Sequence, residues 1–345
     1  MNINNQNVRN IVILKWGALG DLVASTSAIK ALRDNFPDAH ITLLTNHLME
    51  QLLPAGFIVD ELVFLHTHGT HVLDSFFRQL QTILNLRRKK FDIAVNLRWT
   101  SERSAVMTYL TGAKIRVSSG PKDAWRLYTI PLQHPIGPYH EIHRHLDIVK
   151  ALGCTVFDET PILCITDQQD KRAQQFFAEN NLLKEKTLCL HPGASKPVRA
   201  WLPERYAEIG KRLTERYDAK ILLTYGKGEE QLVQQVAAMI GKSAIIGQSP
   251  TIGDLAALIR HSKLFLSNCT GPMNVAVAAR TPVVALLGSS DPIDWGAYGT
   301  MHINIKSPIV LPHYTDEQER QAYDAITIER VWETISTRWE ALRND

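Results

Sequence analysis

Several familiar signatures are missing from these 345 residues. Neither of the two strand-to-helix starts carries GxGxxG, which disfavours a nicotinamide or flavin dinucleotide. GxxxxGK[ST] is absent too, which argues against a P-loop, and no DxD stands ready to hold a metal. The 4 cysteines (Cys154, Cys164, Cys189, Cys269) lack CxxC spacing and read as reduced thiols, with no zinc site or disulfide framework implied. No run approaches the roughly 18 to 20 apolar residues of a membrane span. The first ten residues are polar and contain no apolar h-region, so a cytoplasmic protein is expected. A net charge of +3 is too small to argue for nucleic acid. What remains is ordinary for a globular chain, 45% hydrophobic and 21% charged, at a length that suits two domains.

Strand-like and helix-like segments alternate twice along the chain. The first series has strands near residues 11–14, 41–45, 61–65, 91–97 and 113–117, with helical patterns between them and across 140–152. A second begins with a strand at 188–190 and continues with strands at 221–224, 244–246, 264–266 and 283–287. Strands separated by helices imply parallel sheets. The expectation is an α/β protein with two doubly wound, Rossmann-like domains over residues 1–165 and 166–325, facing a central cleft. A helical segment over 326–345 carries a stripe of Val331, Trp332, Ile335, Trp339 and Leu342. The basic run at residues 87–90 reads as a solvated helix end; its alternative is contact with an anionic membrane surface or a phosphorylated substrate.

Four glycine-rich turns follow strands. In KWGALGD, Gly17 and Gly20 allow a tight turn, which sets Asp21 where the turn meets the helix. Ligands of open α/β sheets bind at such strand ends, although Asp is also a preferred helix cap. HPGASKPVRAW offers backbone amides at Gly193, Ala194 and Ser195, with Lys196 and Arg199 close behind, which is what a pyrophosphate needs. GKGEE puts Glu229 and Glu230 at a helix start, suited to the helix dipole or to a ribose diol. SNCTGPMN opens a helix at Thr270 and Gly271 with Pro272 in the first turn, leaving amides free for an anion.

Three of these stretches, ILKWGALGD, LHPGASKPVRAWLPERYAEI and LSNCTGPMNVAVAARTPVVALLGSSDPIDWGAYG, resemble glycosyltransferase family 9, the lipopolysaccharide heptosyltransferases, in family order and over nearly the whole chain. The resemblance implies a GT-B fold, with the acceptor site in the first domain and the nucleotide-sugar site in the second. It also implies a last helix that crosses back onto the first domain. Asp21 matches the catalytic base of an inverting transfer. An ordinary carboxylate is a weak base at neutral pH, but it can accept a proton as the attacking oxygen turns acidic in the transition state.

On the donor side the resemblance points to Ser195, Lys196, Arg199, Glu229, Thr251, Cys269, Thr270, Gly271 and Asn274. Arg199 is the basic phosphate contact and Glu229 or Glu230 the ribose acid. No cofactor or metal is implied beyond the co-substrate, ADP-L-glycero-D-manno-heptose. The acceptor is a lipid-linked anionic glycan, Kdo-lipid A or an inner-core heptose, at the cytoplasmic face of the inner membrane. Gly20, Arg98, Arg103 and Arg126 are its candidate contacts, with RWTSER at residues 98–103 the best placed. His140, His143 and His145 cannot all share one ion, because residues two apart on a helix face different ways. One departure matters: the family pattern Asp-Thr-Gly-Pro-Met-His stands here as CTGPMN, with Cys269 and Asn274 at its ends. The alternatives are therefore a different nucleotide-sugar donor or acceptor, or a catalytically weak relative that binds nucleotide-sugar or glycan.

Overall fold

In a computed structural model of the chain, residues 8–65, 72–120, 122–311 and 313–342 are described, with backbone alone at residues 72–77 and 122. The chain divides into two units, Met1–Cys164 and Ile165–Asp345.

The first unit runs β1 (Asn10–Leu14), α1 (Leu19–Asn35), β2 (His40–Thr45), α2 (His47–Leu52), β3 (Glu61–Phe64) and α3 (Val72–Arg87). It continues with β4 (Ile93–Asn96), α4 (Glu102–Leu110), β5 (Ile115–Ser118), β6 (Ile130–Pro131) and α5 (Glu141–Lys150). Its strands form one parallel sheet in the order β3-β2-β1-β4-β5-β6. Ile11 through Leu14 are wholly buried, as expected of a central parallel strand covered on both faces. Leu22, Ile29 and Leu32 supply the buried stripe of α1, and α1 packs along α5. Ser25 and Thr26 are buried beside them; their hydroxyls donate back to the carbonyls of Leu22 and Val23 at 2.7 and 2.8 Å.

The second unit runs α6 (Asp167–Glu179), β7 (Thr187–His191), α7 (Pro203–Tyr217), β8 (Lys220–Leu223), α8 (Glu230–Ile240), β9 (Ala244–Ile246) and α9 (Ile252–Arg260). There follow β10 (Leu264–Asn268), α10 (Gly271–Ala278), β11 (Val283–Leu287), α11 (Pro292–Trp295), β12 (Ile303–Lys306), α12 (Asp316–Asp324) and α13 (Ile328–Ala341). Its sheet is also all parallel, in the order β12-β11-β10-β7-β8-β9. Counted from its own first strand, each sheet therefore has the order 3-2-1-4-5-6. In that order the chain reverses direction across the sheet between the first and fourth strands, the switch point where such sheets bind ligands.

The stripe of α13 is taken up within the second unit. Val331, Ile335 and Trp339 are buried in the second unit's core with Leu188, Leu213 and Leu266, and α13 packs on α7. The reason is that α7 exposes an apolar face that needs covering, and Tyr217 meets the rings of both Trp332 and Trp339. Residues 343–345, the end of the helical segment expected from the sequence, lie outside the described residues.

Candidate active site

Each switch point is built from two of the turns singled out in the sequence. In the first unit, β1 ends at Leu14 and β4 at Asn96, and they are neighbours. The chain leaves β1 through Lys15, Trp16 and Gly17 and enters α1 at Leu19 with Ala18 as the N-cap. Asp21 is thus in the first turn of α1 and is not its capping residue. Its carboxylate folds back over Gly17, where an added Cβ would come within 3.0 Å of Oδ2 at a φ of +155°. Glycine at 17 fits both demands, positive φ and close approach. From the end of β4, Arg98 brings Nη1 to 3.9 Å from Asp21 Oδ2, a contact that leaves the carboxylate partly open to solvent.

Beneath this pair lies a buried polar chain. Lys15 is fully enclosed, donating to the carbonyl of Leu97 at 3.3 Å and approaching His145 Nε2 at 2.8 Å. Burial pushes its ammonium down to about 8, with Glu141 and Asp21 opposing the fall, so it still carries its charge at neutral pH. Burial and the neighbouring ammonium hold His145 well below the usual histidine range. A neutral imidazole that accepts from Lys15 at Nε2 places its proton on Nδ1, which faces the carbonyl of Ala24 at 3.4 Å. Glu141 completes the chain. Its carboxyl, raised by burial, lies 3.4 Å from His145 Nε2 and accepts from the Trp99 indole at 3.0 Å. Neither Lys15 nor Glu141 stood out in the sequence; a lysine directly after four buried strand residues was the available signal.

The other candidates of this unit are more dispersed. Gly20 is half-buried in the first turn of α1, whereas Arg103 stands exposed on α4 and Arg126 exposed on the 3-10 turn Lys122–Leu127. The three histidines have separate partners. His140 caps α5 by accepting from the Ile142 amide at 3.2 Å, and His143 lies 3.2 Å from Glu159. Among the described residues no group of three or more His, Cys, Asp or Glu side chains is placed to hold a metal ion.

In the second unit the turns after β7 and β10 are tied together by one side chain. Asn268 is wholly buried; its Oδ1 accepts from the Trp201 amide and the Tyr206 hydroxyl, both at 2.9 Å. Its Nδ2 donates to the carbonyls of Pro192 and Gly193 at 2.9 and 3.2 Å. This fixes HPGAS beside the start of α10, and no pattern in the sequence marked it. Ser195 and Lys196 are exposed on the loop so held. Arg199 is in place but not unpaired: Nε and Nη2 both donate to Glu319 Oε1, at 3.1 and 2.7 Å. Glu319 is buried on α12 and also accepts from Ser289 at 2.6 Å. Arg199 itself remains 44% exposed, so Glu319 aims the guanidinium without enclosing it.

Of the two acids in GKGEE, the structure separates the roles. Glu230 is exposed at the start of α8, while the Glu229 carboxylate accepts from the Gly226 amide at 2.7 Å and lies 3.3 Å from His191. Burial pushes Glu229 up, but His191 and that amide outweigh it and the carboxyl ends below its ordinary value. An added Cβ at Gly193 would fall 2.1 Å from this carboxylate, so the first loop touches the second through a glycine. Thr251 is the N-cap of α9, its hydroxyl bonded to Asp254 and accepting from Gln169 at 3.1 Å.

Thr270 is the N-cap of α10 without a side-chain cap bond, and Gly271 opens the helix. Asn274 turns its amide back onto the Thr270 carbonyl at 3.3 Å. Cys269 points at the Trp295 carbonyl (3.5 Å), and burial pushes its thiol up, so it is neutral near pH 7. Lys306, missed in the sequence, donates to the carbonyls of Gly288 and Ser290 at 2.8 Å each.

Comparison with known proteins places these features in a family. The model for glycosyltransferase family 9 (heptosyltransferase) matches residues 80–324, more than half of the chain. Lipopolysaccharide heptosyltransferase 3 of Escherichia coli K12 is 25% identical over 287 residues, spanning 80% of this chain and 81% of that one. The crystal structure of a family 9 glycosyl transferase from Veillonella parvula superposes with a TM-score of 0.81 at 21% identity, covering 96% of this chain and 97% of the other. Escherichia coli WaaC, solved with ADP-2-deoxy-2-fluoro heptose, has a TM-score of 0.72 at 16% identity, covering 95% and 99%. The fold is that of these GT-B enzymes, and the chain belongs to glycosyltransferase family 9, the heptosyltransferases.

Proposed function

We propose that the protein transfers a heptose from ADP-L-glycero-D-manno-heptose to a lipid-linked, anionic inner-core acceptor, with inversion and without a metal. The acceptor half of the chemistry is assigned to the first unit and the donor half to the second. The observation that carries this reading is the Asp21 carboxylate: it stands at the first switch point, unused as a cap, with one arginine beside it. In the step, the acceptor hydroxyl oxygen forms a bond to the anomeric carbon while its proton passes to Asp21. The bond from that carbon to the β-phosphate oxygen breaks, and ADP leaves with the electron pair. Arg199, Lys196, Thr270 and the first amides of α10 would stabilise the charge on the departing diphosphate. Glu229 would accept from the ribose hydroxyls. Arg98, Arg103 and Arg126 supply cations for an acceptor rich in carboxylate and phosphate, and the exposed residues 87–90 mark where a peripheral membrane contact would fall.

Two outcomes are expected. Arg199→Ala weakens ADP binding by about tenfold or more in calorimetry, the worth of one charge-assisted hydrogen bond. Because that variant also strands the buried Glu319, the Arg199→Ala/Glu319→Gln pair should show the same weakening; unchanged affinity in both moves the phosphate site elsewhere. Transfer should also persist in EDTA, and a loss restored by a divalent ion would defeat the metal-free step.

A second reading, a different donor sugar, is favoured by one observation. Cys269 puts a neutral thiol beside Arg199 and Lys306 where the family pattern has a carboxylate. A thermal-shift screen of ADP-, UDP-, GDP- and CMP-linked sugars decides between them: stabilisation by ADP-heptose above the others supports the first.

A further inference from the structure

Beside the Asp21–Arg98 pair, the first unit contains a pocket that none of the residues assigned above explains. It has a volume of about 470 Å³ at the carboxyl ends of β4 and β5, with Trp99, Trp125, Ser119, His134 and Arg144 among its walls. The Trp99 ring is held on three sides. Its indole nitrogen donates to Glu141, the Arg144 guanidinium sits 5.2 Å from its centroid, and His134 meets it edge-on at 5.0 Å. Trp125 is fixed as well, donating from Nε1 to the Gly120 carbonyl at 2.8 Å. Arg144 is braced by the carbonyls of Tyr139 and Gly137, at 3.1 and 3.4 Å, which set its planar group over the aromatic wall. Rigid indoles that keep their nitrogens bonded present their faces, the surfaces on which a sugar ring stacks.

Among the described residues, His134 Nδ1 and Arg98 Nε are buried with no hydrogen-bond partner, whereas nearly all buried polar atoms in folded proteins have one. His134 bonds Ser119 through Nε2, and burial together with the neighbouring Arg144 charge pushes it down to about 4, so it stays neutral. The fixed charge in the pocket wall is therefore the Arg144 cation, shared with Glu141 at 3.9 Å. Neither Asp21 nor Gly17 lines the space, and Arg98, which reaches Asp21, is the residue before Trp99. A ring held here is not the ring whose hydroxyl is attacked.

We propose that this pocket is a subsite for an acidic sugar of the acceptor, carrying a carboxylate or a phosphate, next to the ring that reacts. The ring would stack on Trp99 or Trp125, its anion would meet Arg144, and its hydroxyls would meet Ser119 and His134. This rests on the acceptor reading of the first unit. The test is quenching of tryptophan fluorescence by four probes: the carboxylate sugar Kdo, mannose 6-phosphate, neutral methyl mannoside and inorganic phosphate. One of the two acidic sugars should bind about tenfold tighter than methyl mannoside, and inorganic phosphate should not quench. Which acidic sugar binds identifies the anion. Arg144→Gln should remove the preference, and Gln133→Trp, which fills the pocket from its exposed rim, should abolish quenching even where the arginine variant misfolds. Equal binding of acidic and neutral sugars, no binding of any probe, or full quenching in Gln133→Trp overturns the proposal. ADP calorimetry on the same samples reads the donor site independently: failure there refutes the transferase reading, while failure of the sugar titration alone refutes the pocket.

Discussion

Replacing Asp21 by asparagine is expected to lower the turnover of sugar transfer by about a hundred- to ten-thousandfold, the usual worth of a general base. Asparagine matches aspartate in size, so it can keep its place over Gly17 and near Arg98, but it cannot accept a proton at neutral pH. The helix start should not suffer, because the capping residue of α1 is Ala18 and Asp21 makes no capping bond. Donor binding should also survive, since every residue assigned to the nucleotide is in the other unit. The diagnostic result is a collapse of kcat with ADP affinity unchanged by calorimetry. An unchanged rate removes the base assignment, and a parallel loss of ADP binding shows that the substitution disturbed more than one proton.

The largest effect on stability is expected at Asn268. Alanine there deletes four hydrogen bonds and leaves the Trp201 amide, the Tyr206 hydroxyl and two loop carbonyls without their partner inside the core. Each stranded group costs about 1–3 kcal/mol, and water entering the gap recovers part of that, so a net loss of about 3–5 kcal/mol is expected. Denaturant unfolding followed by tryptophan emission should register it, since Trp201 is buried beside the lesion. Nucleotide affinity should fall too, because HPGAS loses its tether to the strand carrying CTGPMN. Asn268→Asp keeps the two bonds at Oδ1 but buries a charge against two carbonyls, and it should be no better than alanine. A fully stable alanine variant would show that the loops are held by something else.

The alternation of strands and helices was legible because the central strands are continuous apolar runs. Residues 283–287 match the inner strand β11 to the residue, and residues 244–246 match the edge strand β9. Elements that bury polar side chains were not legible. In α4 the buried residues include Ser104 and Thr108, which satisfy their hydroxyls within the turn, so no apolar stripe announces the helix. For α12 the sequence is nearly all polar, yet Glu319, Ala322 and Tyr323 are inside. The candidate site divides the same way. Strand-end turns with glycine drew attention to two carboxylates, and the structure places Asp21 and Glu229 in such turns. Long-range pairings carry no local signal: Glu319 is 120 residues from Arg199, and His145 is 130 from Lys15. The fate of the last helix followed from packing alone, since an amphipathic stripe does not say which face it will cover.

That placement of α13 bears on how the molecule is made. Trp201 donates to the Ile326 carbonyl across 125 positions, and Arg216 reaches Glu340 across 124. Closing the second unit thus needs its two ends in hand at once, the slow kind of topology. On the ribosome Leu188 and Leu266 of the sheet and Leu213 of α7 emerge long before the helix that roofs them. Until then the half-made unit presents an apolar face to solvent, the kind of exposed surface that makes partly folded chains prone to aggregate.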